Sequence, residues 1–444
     1  MGIFETRDNT LYFDGVSTTW LAAEFGTPLY VFSKTEIVKR IAEIKKEFLY
    51  KHKNTRVAYA SKAFLTLAMC RVVEEQGLSL DVVSGGELYT AIRAGFPTER
   101  IEFHGNNKSY AELEMAIEYG VGHIIIDAFD ELSVIEELCE RYGKTVKVLY
   151  RITPEVDADT HRHISTGGKG SKFGFSMEES VIYPLLKEAI DSEYVTLAGI
   201  HFHVGSQLFE NAGHLQALKK ALALFKGVRD RYGYELPEIN VGGGFGIAYT
   251  SEDERKSFGY FLDPIMEETE RFCRANGLTR PTIVTEPGRS IVGESGITLY
   301  TVGSVKEIEG VRTYVSVDGG MSDNIRPALY GAKYEGMIAN KANAIPTTTV
   351  TVCGKCCESG DKLIKDALFV EAQRGDILAV FSTGAYGYSM ANNYNKQPIP
   401  AAVMVEEGKA RLIVKRQSYY DLIRNELLPE HDGARTLAVV AAVS

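Results

Sequence analysis

The hydrophobic pattern changes character twice along the chain. After an opening stretch containing Leu11-Tyr12-Phe13 and a short helical pattern over Thr18 to Glu24, Pro28 resets the backbone before the apolar run Leu29 to Phe32. A regular alternation follows. Short apolar runs end at Val57-Ala60, Leu80-Val83, Ile101-Phe103, His123-Ile126, Val146-Tyr150, Leu197-His201, Ile239-Val241 and Thr282-Val284. Between them lie segments with apolar residues at three-and-four spacing: 68–75, 87–94, 110–119, 131–141, 179–191, 215–232 and 260–276. Strand followed by helix, repeated over about 250 residues, predicts a (β/α)8 barrel of the TIM type. Beyond Gly288 the runs become β-branched, short and separated by glycine-rich turns, as at 296–304, 313–317, 347–352, 376–381, 401–406 and 411–414. This predicts a second, all-β domain of barrel or sandwich type. The expected division is an N-terminal segment over 1–27 joining the β-domain, a barrel over 28–288 and a β-domain over 289–444.

Functional residues of such a barrel belong where strands end and loops begin. Those positions hold Ser61-Lys62, Ser84-Gly85-Gly86-Glu87, His104-Gly105-Asn106, Asp127, Arg151, His203 with Ser206, Gly242 to Gly246, and Glu286-Pro287-Gly288-Arg289. His201 and His203, two apart at one strand end, share a face. Alone they are compatible with a metal site, with stacking on a flat cofactor or with a satisfied core pair. A metal would need a further ligand, for which Asp127 is the obvious candidate, and would leave Lys62 without a role. The set as a whole fits another task. The triple glycine exposes backbone N–H groups to an anion, and Ser206 and Arg289 add a hydroxyl and a charge, as a phosphate cradle requires. Lys62 at the mouth of an apolar strand is expected to have its ammonium pKa lowered by desolvation, which favours imine formation with a carbonyl. His203 could cover a ring face, and Glu286 could hold a proton on a ring nitrogen. Phosphate, carbonyl, flat ring and basic nitrogen together describe pyridoxal 5'-phosphate.

Composition narrows the class without changing this picture. The chain has 444 residues, 45% hydrophobic and 24% charged, with a net charge of −10 and no compensating basic stretch, which argues against a nucleic-acid partner. No apolar run is long enough to span a bilayer and the first ten residues lack a signal-peptide core, so a cytoplasmic protein without a membrane partner is expected. Six cysteines, at 70, 139, 273, 353, 356 and 357, are too sparse for a disulfide framework. Cys353, Cys356 and Cys357 lack the second pair that structural zinc would need, so no metal is expected.

Lys62 in Tyr59-Ala60-Ser61-Lys62-Ala63, the turn His203-Val204-Gly205-Ser206, the triple glycine, Glu286-Pro287-Gly288-Arg289, Cys357-Glu358-Ser359 and Gly384-Ala385-Tyr386 occur in this order. In these motifs the chain, over about residues 25 to 425, resembles the fold-type III pyridoxal phosphate decarboxylases, and most of all the branch that converts meso-2,6-diaminopimelate to L-lysine and CO2, the last step of lysine biosynthesis by that route. The resemblance implies that Lys62 links to the cofactor, that His203 stacks on its ring and that Glu286 pairs with its nitrogen. It places the phosphate on Ser206, Gly243, Gly244, Gly288 and Arg289. Arg289, Arg326, Tyr330, Glu358 and Tyr386 match substrate-contacting positions, with Tyr386 also near the cofactor. Cys357 matches a proton donor that, in this family, reaches the site of the neighbouring subunit of a homodimer. An amino acid with a distal carboxylate and ammonium suits Arg326 with Tyr330 and Glu358, whereas lysine or ornithine would have no use for Arg326. Alanine-racemase-like enzymes, simple diamine-forming decarboxylases, single-barrel cofactor carriers and metal-dependent hydrolases are the rival classes.

Overall fold

The computed structural model describes residues 3–156 and 170–428. The ends of the expected first and last segments, 1–2 and 429–444, lie outside the described residues.

The eight predicted barrel strands form one closed parallel ring. Thr55–Ala60, Ser79–Val82, Ile101–Phe103, His123–Ile126, Val146–Thr153, Val195–His201, Glu238–Asn240 and Thr282–Thr285 pair in chain order, and Ile283 opposite Thr55 closes the ring. Their apolar runs are buried on both faces because helices cover the outside, as a parallel sheet demands. Helix starts are set by side-chain caps: Ser84 accepts from Glu87 N–H, and Ser109 forms a reciprocal capping box with Glu112. Strand alternation sends Ile124 and Ile126 into the large shell between strands and helices, and Ile125 into a small inner cluster with Leu149 and Ala198.

Much of the barrel interior is polar instead. Arg56 Nε lies 3.0 Å from Glu102 and its Nη2 2.7 Å from Glu238, whose other neighbour is His123 at 3.3 Å. Asn240 Nδ2 donates to Glu102 at 2.9 Å and, one layer higher, to Glu286 at 2.6 Å. These interlocked charges form the floor of the site.

The long strand Gly296–Ile308 organises the β-domain. It pairs with Arg312–Val317 at its far end and with Ile377–Val380 and Leu29–Ser33 at its near end. The expected start of the barrel at residue 28 is therefore corrected. Leu29–Ser33 pairs antiparallel with Gly296 to Leu299 and parallel with Ala401 to Val405, so it is a β-domain strand. Buried on both faces, it reads like a barrel strand, and its partners lie far along the chain. The N-terminal strands pack on the same sheet through Leu11, Phe13 and Val16, joined by Leu21 of the helix Thr18–Phe25.

Candidate active site

The C-terminal ends of the barrel strands open into a cavity of about 410 Å³. Its wall brings together Lys62, His203, Ser206, Gly244, Glu286, Gly288, Arg289, Arg326, Tyr330 and Tyr386. Gly243 lies just behind, its N–H reaching His203 Nδ1 at 3.4 Å. Cys357 and Glu358 are not part of this wall: both are exposed, Cys357 N–H donating to Asn395 Oδ1 at 2.7 Å and Glu358 Oε1 accepting from Gly360 N–H at 3.1 Å.

At one end the backbone is bare by necessity. A Cβ on Gly243 would fall 2.1 Å from the Glu286 carbonyl oxygen, and one on Gly244, at φ +100°, 2.2 Å from that of Gly205. Arg289 stands beside this loop, Nη2 donating to Ser206 Oγ at 3.0 Å and Nη1 to the Tyr249 hydroxyl. Its guanidinium lies 4.7 Å from the ring centroid of Tyr386, a residue held at φ +61°. Arg289 Nε and Ser290 Oγ are buried with no protein partner. Unpaired donors around a glycine loop suit a phosphate.

The deep end is acidic. Glu286 accepts from Asn240 and lies 2.9 Å from His104 Nε2 and 3.2 Å from His201 Nε2. Burial alone would raise its pKa, but the two imidazoles hold it well below the usual carboxylate range. Burial pushes His201 down to about 4 against the pull of Glu286. His104 moves the other way, because Glu286 and Asp81 outweigh its burial. His203 is held well below its ordinary value by burial and then by Lys62 and Arg151, so a neutral imidazole faces the cavity, its Nδ1 accepting from Gly243.

The expectation for Lys62 is overturned. Burial would lower its pKa, but Asp81, then Tyr386 and Glu286, raise it. Although Lys62 is exposed, it lines the cavity, so the carboxylates around that cavity set its charge. Asp81 in turn is pushed up to about 6, chiefly by burial.

The pairing of His201 and His203 also resolves. The strand ends at His201, which turns to Glu286, while His203 lies in the loop that follows. Donor atoms of His104, His201 and Glu286 lie within 4.8 Å of one another, the only such cluster among the described residues. Here they are paired with each other. Asp127 faces Arg151 at 3.9 Å and accepts from Gly174 N–H, not from the histidines.

Sequence reasoning gave no role to Asp81, Asn240, Tyr249 or Tyr334. Asp81 and Asn240 carried a signal, each being a polar residue inside an otherwise buried strand. Tyr249 and Tyr334 carried none, since a buried tyrosine in sequence looks like any core aromatic.

A carboxylate, a neutral imidazole, an amine and an anion cradle around one cavity fit pyridoxal phosphate. Residues 34–293 match the family model described as the pyridoxal binding domain of pyridoxal-dependent decarboxylases, and the chain belongs to this family. Its relatives narrow the branch. It is 50% identical over 423 residues to the diaminopimelate decarboxylase of Bacillus subtilis, covering 95% of this chain and 96% of that protein. The diaminopimelate decarboxylase of M. jannaschii superposes with a TM-score of 0.90 at 35% identity, over 97% of this chain and 98% of the other. The same enzyme in co-complex with L-lysine gives 0.89 at 35% identity, over 96% and 98%.

Proposed function

We propose that this chain decarboxylates meso-2,6-diaminopimelate to L-lysine and CO2, the final step of lysine biosynthesis from that precursor. The observation that carries the substrate is Arg326. The residue, 6% exposed, lines the cavity that holds Lys62, and its guanidinium donates to the Tyr334 hydroxyl and lies 4.6 Å from the Tyr249 ring centroid. A buried, fixed cation there calls for a second carboxylate on the substrate, which lysine and ornithine lack.

Lys62 would hold the cofactor's carbonyl carbon, Ser206, Gly243, Gly244, Gly288 and Arg289 its phosphate, and His203 its ring face. When bound, the cofactor supplies a sink for the electron pair left as CO2 departs. Glu286, kept ionised by His104 and His201, would hold a proton at the ring nitrogen. As a free amine, Lys62 would be held protonated by Asp81. Arg326 and Tyr330 would orient the distal carboxylate, with Tyr386 closing the near side.

We further propose a cytoplasmic homodimer in which Cys357 and Glu358 enter the partner's cavity, Cys357 protonating the product carbon and Glu358 holding the distal ammonium. Cys357 sits on an exposed face, its carbonyl accepting from the Tyr394 hydroxyl. Lys396, two residues after Tyr394, pairs with Glu426 and reaches the Leu422 carbonyl at 3.5 Å in the helix Tyr419–Ile423, which leaves Tyr420 and Ile423 exposed. An apolar face of this kind calls for a partner. Among the described residues, no helix is long and apolar enough to cross a membrane. The chain then divides into a barrel over 34–288 and a β-domain built from the segments before and after it.

The test is product analysis. Lysine formed in equal amount to CO2 from meso-diaminopimelate supports the reading, and CO2 released only from other amino acids rejects it. Mixing a Lys62→Ala variant with a Cys357→Ala variant, each inactive alone, restores activity only if sites are shared between copies.

A further inference from the structure

Arg289 and Arg326 are both fixed from behind by one side chain that does not line the central cavity. Tyr249 is 8% exposed. Its hydroxyl accepts from Arg289 Nη1, and its ring faces the Arg326 guanidinium at 4.6 Å from the centroid. Arg326 meets the π-face, whereas Arg289 uses the oxygen and also lies 5.6 Å from the same ring centroid. Tyr334 completes the arrangement: 4% exposed, it packs edge-on to Tyr249 with centroids 5.2 Å apart, and its hydroxyl accepts from Arg326 Nη1. On the far side of Arg326, Tyr249 borders a separate cavity of about 340 Å³ that also touches Tyr330. Arg326 and Tyr330 line both cavities, and Tyr249 backs Arg326 from the second one.

We propose that Tyr249 is a positioning residue that sets the separation between the phosphate-holding Arg289 and the carboxylate-holding Arg326, and so the length of substrate that fits between cofactor and distal anchor. Tyr334 is its counterpart, positioning Arg326 alone. The part concerning Arg326 rests on the substrate reading above; the part concerning Arg289 does not. The chemistry favours this division. An arginine has a long, flexible stem, and a guanidinium must be aimed to within a fraction of an ångström to bind a planar anion at two points. An aromatic ring fixes the plane of one guanidinium by stacking while its hydroxyl fixes the edge of the other. Losing either contact would let one anchor shift relative to the other.

Conservative variants separate these roles. Tyr249→Phe removes the hydroxyl and keeps the ring, so titration of apoenzyme with pyridoxal phosphate, followed by absorbance, is expected to weaken about tenfold, while the KM for meso-diaminopimelate changes much less. Tyr334→Phe is expected to do the reverse, raising that KM about tenfold at nearly constant kcat and leaving cofactor affinity unchanged. Tyr249→Leu removes both contacts and should produce both effects, with acceptance of shorter or longer diamino dicarboxylates altered relative to wild type. Cofactor affinity and KM moving together in both phenylalanine variants, or neither moving in either, would overturn the proposal. Wild-type protein inactive on diaminopimelate would reject the substrate reading and the Arg326 half with it, and the cofactor titration of Tyr249→Phe would then decide the Arg289 half.

Discussion

The imidazole Nε2 of His104 lies 2.9 Å from Glu286 Oε1, deep in the barrel. The same nitrogen is 3.8 Å from Asp81 Oδ1, so one imidazole stands between the two carboxylates of the cavity floor. Both partners respond: Glu286 and Asp81 raise the His104 pKa against its burial, and His104 is foremost among the groups that pull Glu286 down. The charge of Glu286 is therefore maintained by residues that need not touch substrate.

Removing that cation should weaken the hold on the Glu286 charge. In His104→Leu the carboxyl pKa is expected to rise, and the acid limb of the turnover–pH profile to move to higher pH. A profile with an unmoved acid limb would mean that His201 and Asn240 suffice.

Lys62 gives a prediction of opposite sense. Asp81 is the largest influence raising its pKa, set against burial that lowers it. Only a neutral amine attacks a carbonyl, so Asp81→Asn should let apoenzyme take up pyridoxal phosphate at lower pH than wild type does. The rise of the bound-cofactor absorbance band, timed across a pH series, measures this. A shift to higher pH would contradict the assignment.

Stability should depend on pH through His201. Its folded pKa of about 4 lies below the ordinary value of 6.5, so the unfolded chain binds the proton first on acidification. The stabilisation is fully present above pH 6.5 and is lost as pH falls toward 4, at up to about 1.4 kcal/mol per pH unit. Denaturant midpoints of wild type and His201→Asn across this window should converge as pH falls. Parallel curves would show that His201 titrates elsewhere.

How far the chain could be read in advance follows from which forces are local. The barrel strands were legible because each apolar run is buried on both faces, and the strand-end rule then located Lys62, His203, Glu286 and Arg289. Leu29–Ser33 was misplaced because strand pairing with Ala401 to Val405 leaves no local trace. The Lys62 charge was misjudged because Asp81 comes from the neighbouring strand, a proximity only the folded ring creates. Lys362–Phe369 was missed as a strand: it carries charges at Lys362, Lys365 and Asp366, and shows little periodicity to read. Tyr249 and Tyr334 became visible only once both arginines had been placed.

If Arg326 selects a substrate with a distal carboxylate, removing its charge must cost turnover and not cofactor binding. The measurement is CO2 release by wild type and Arg326→Ala from meso-diaminopimelate, L-lysine and L-ornithine, with the absorbance of bound pyridoxal phosphate recorded for both proteins. Wild type is expected to turn over diaminopimelate alone, and the variant to show a kcat/KM for it reduced by about 10²-fold or more with the cofactor band intact, the loss of a buried charge-assisted pair. Turnover of lysine or ornithine by wild type, or diaminopimelate turnover untouched by the substitution, would contradict it.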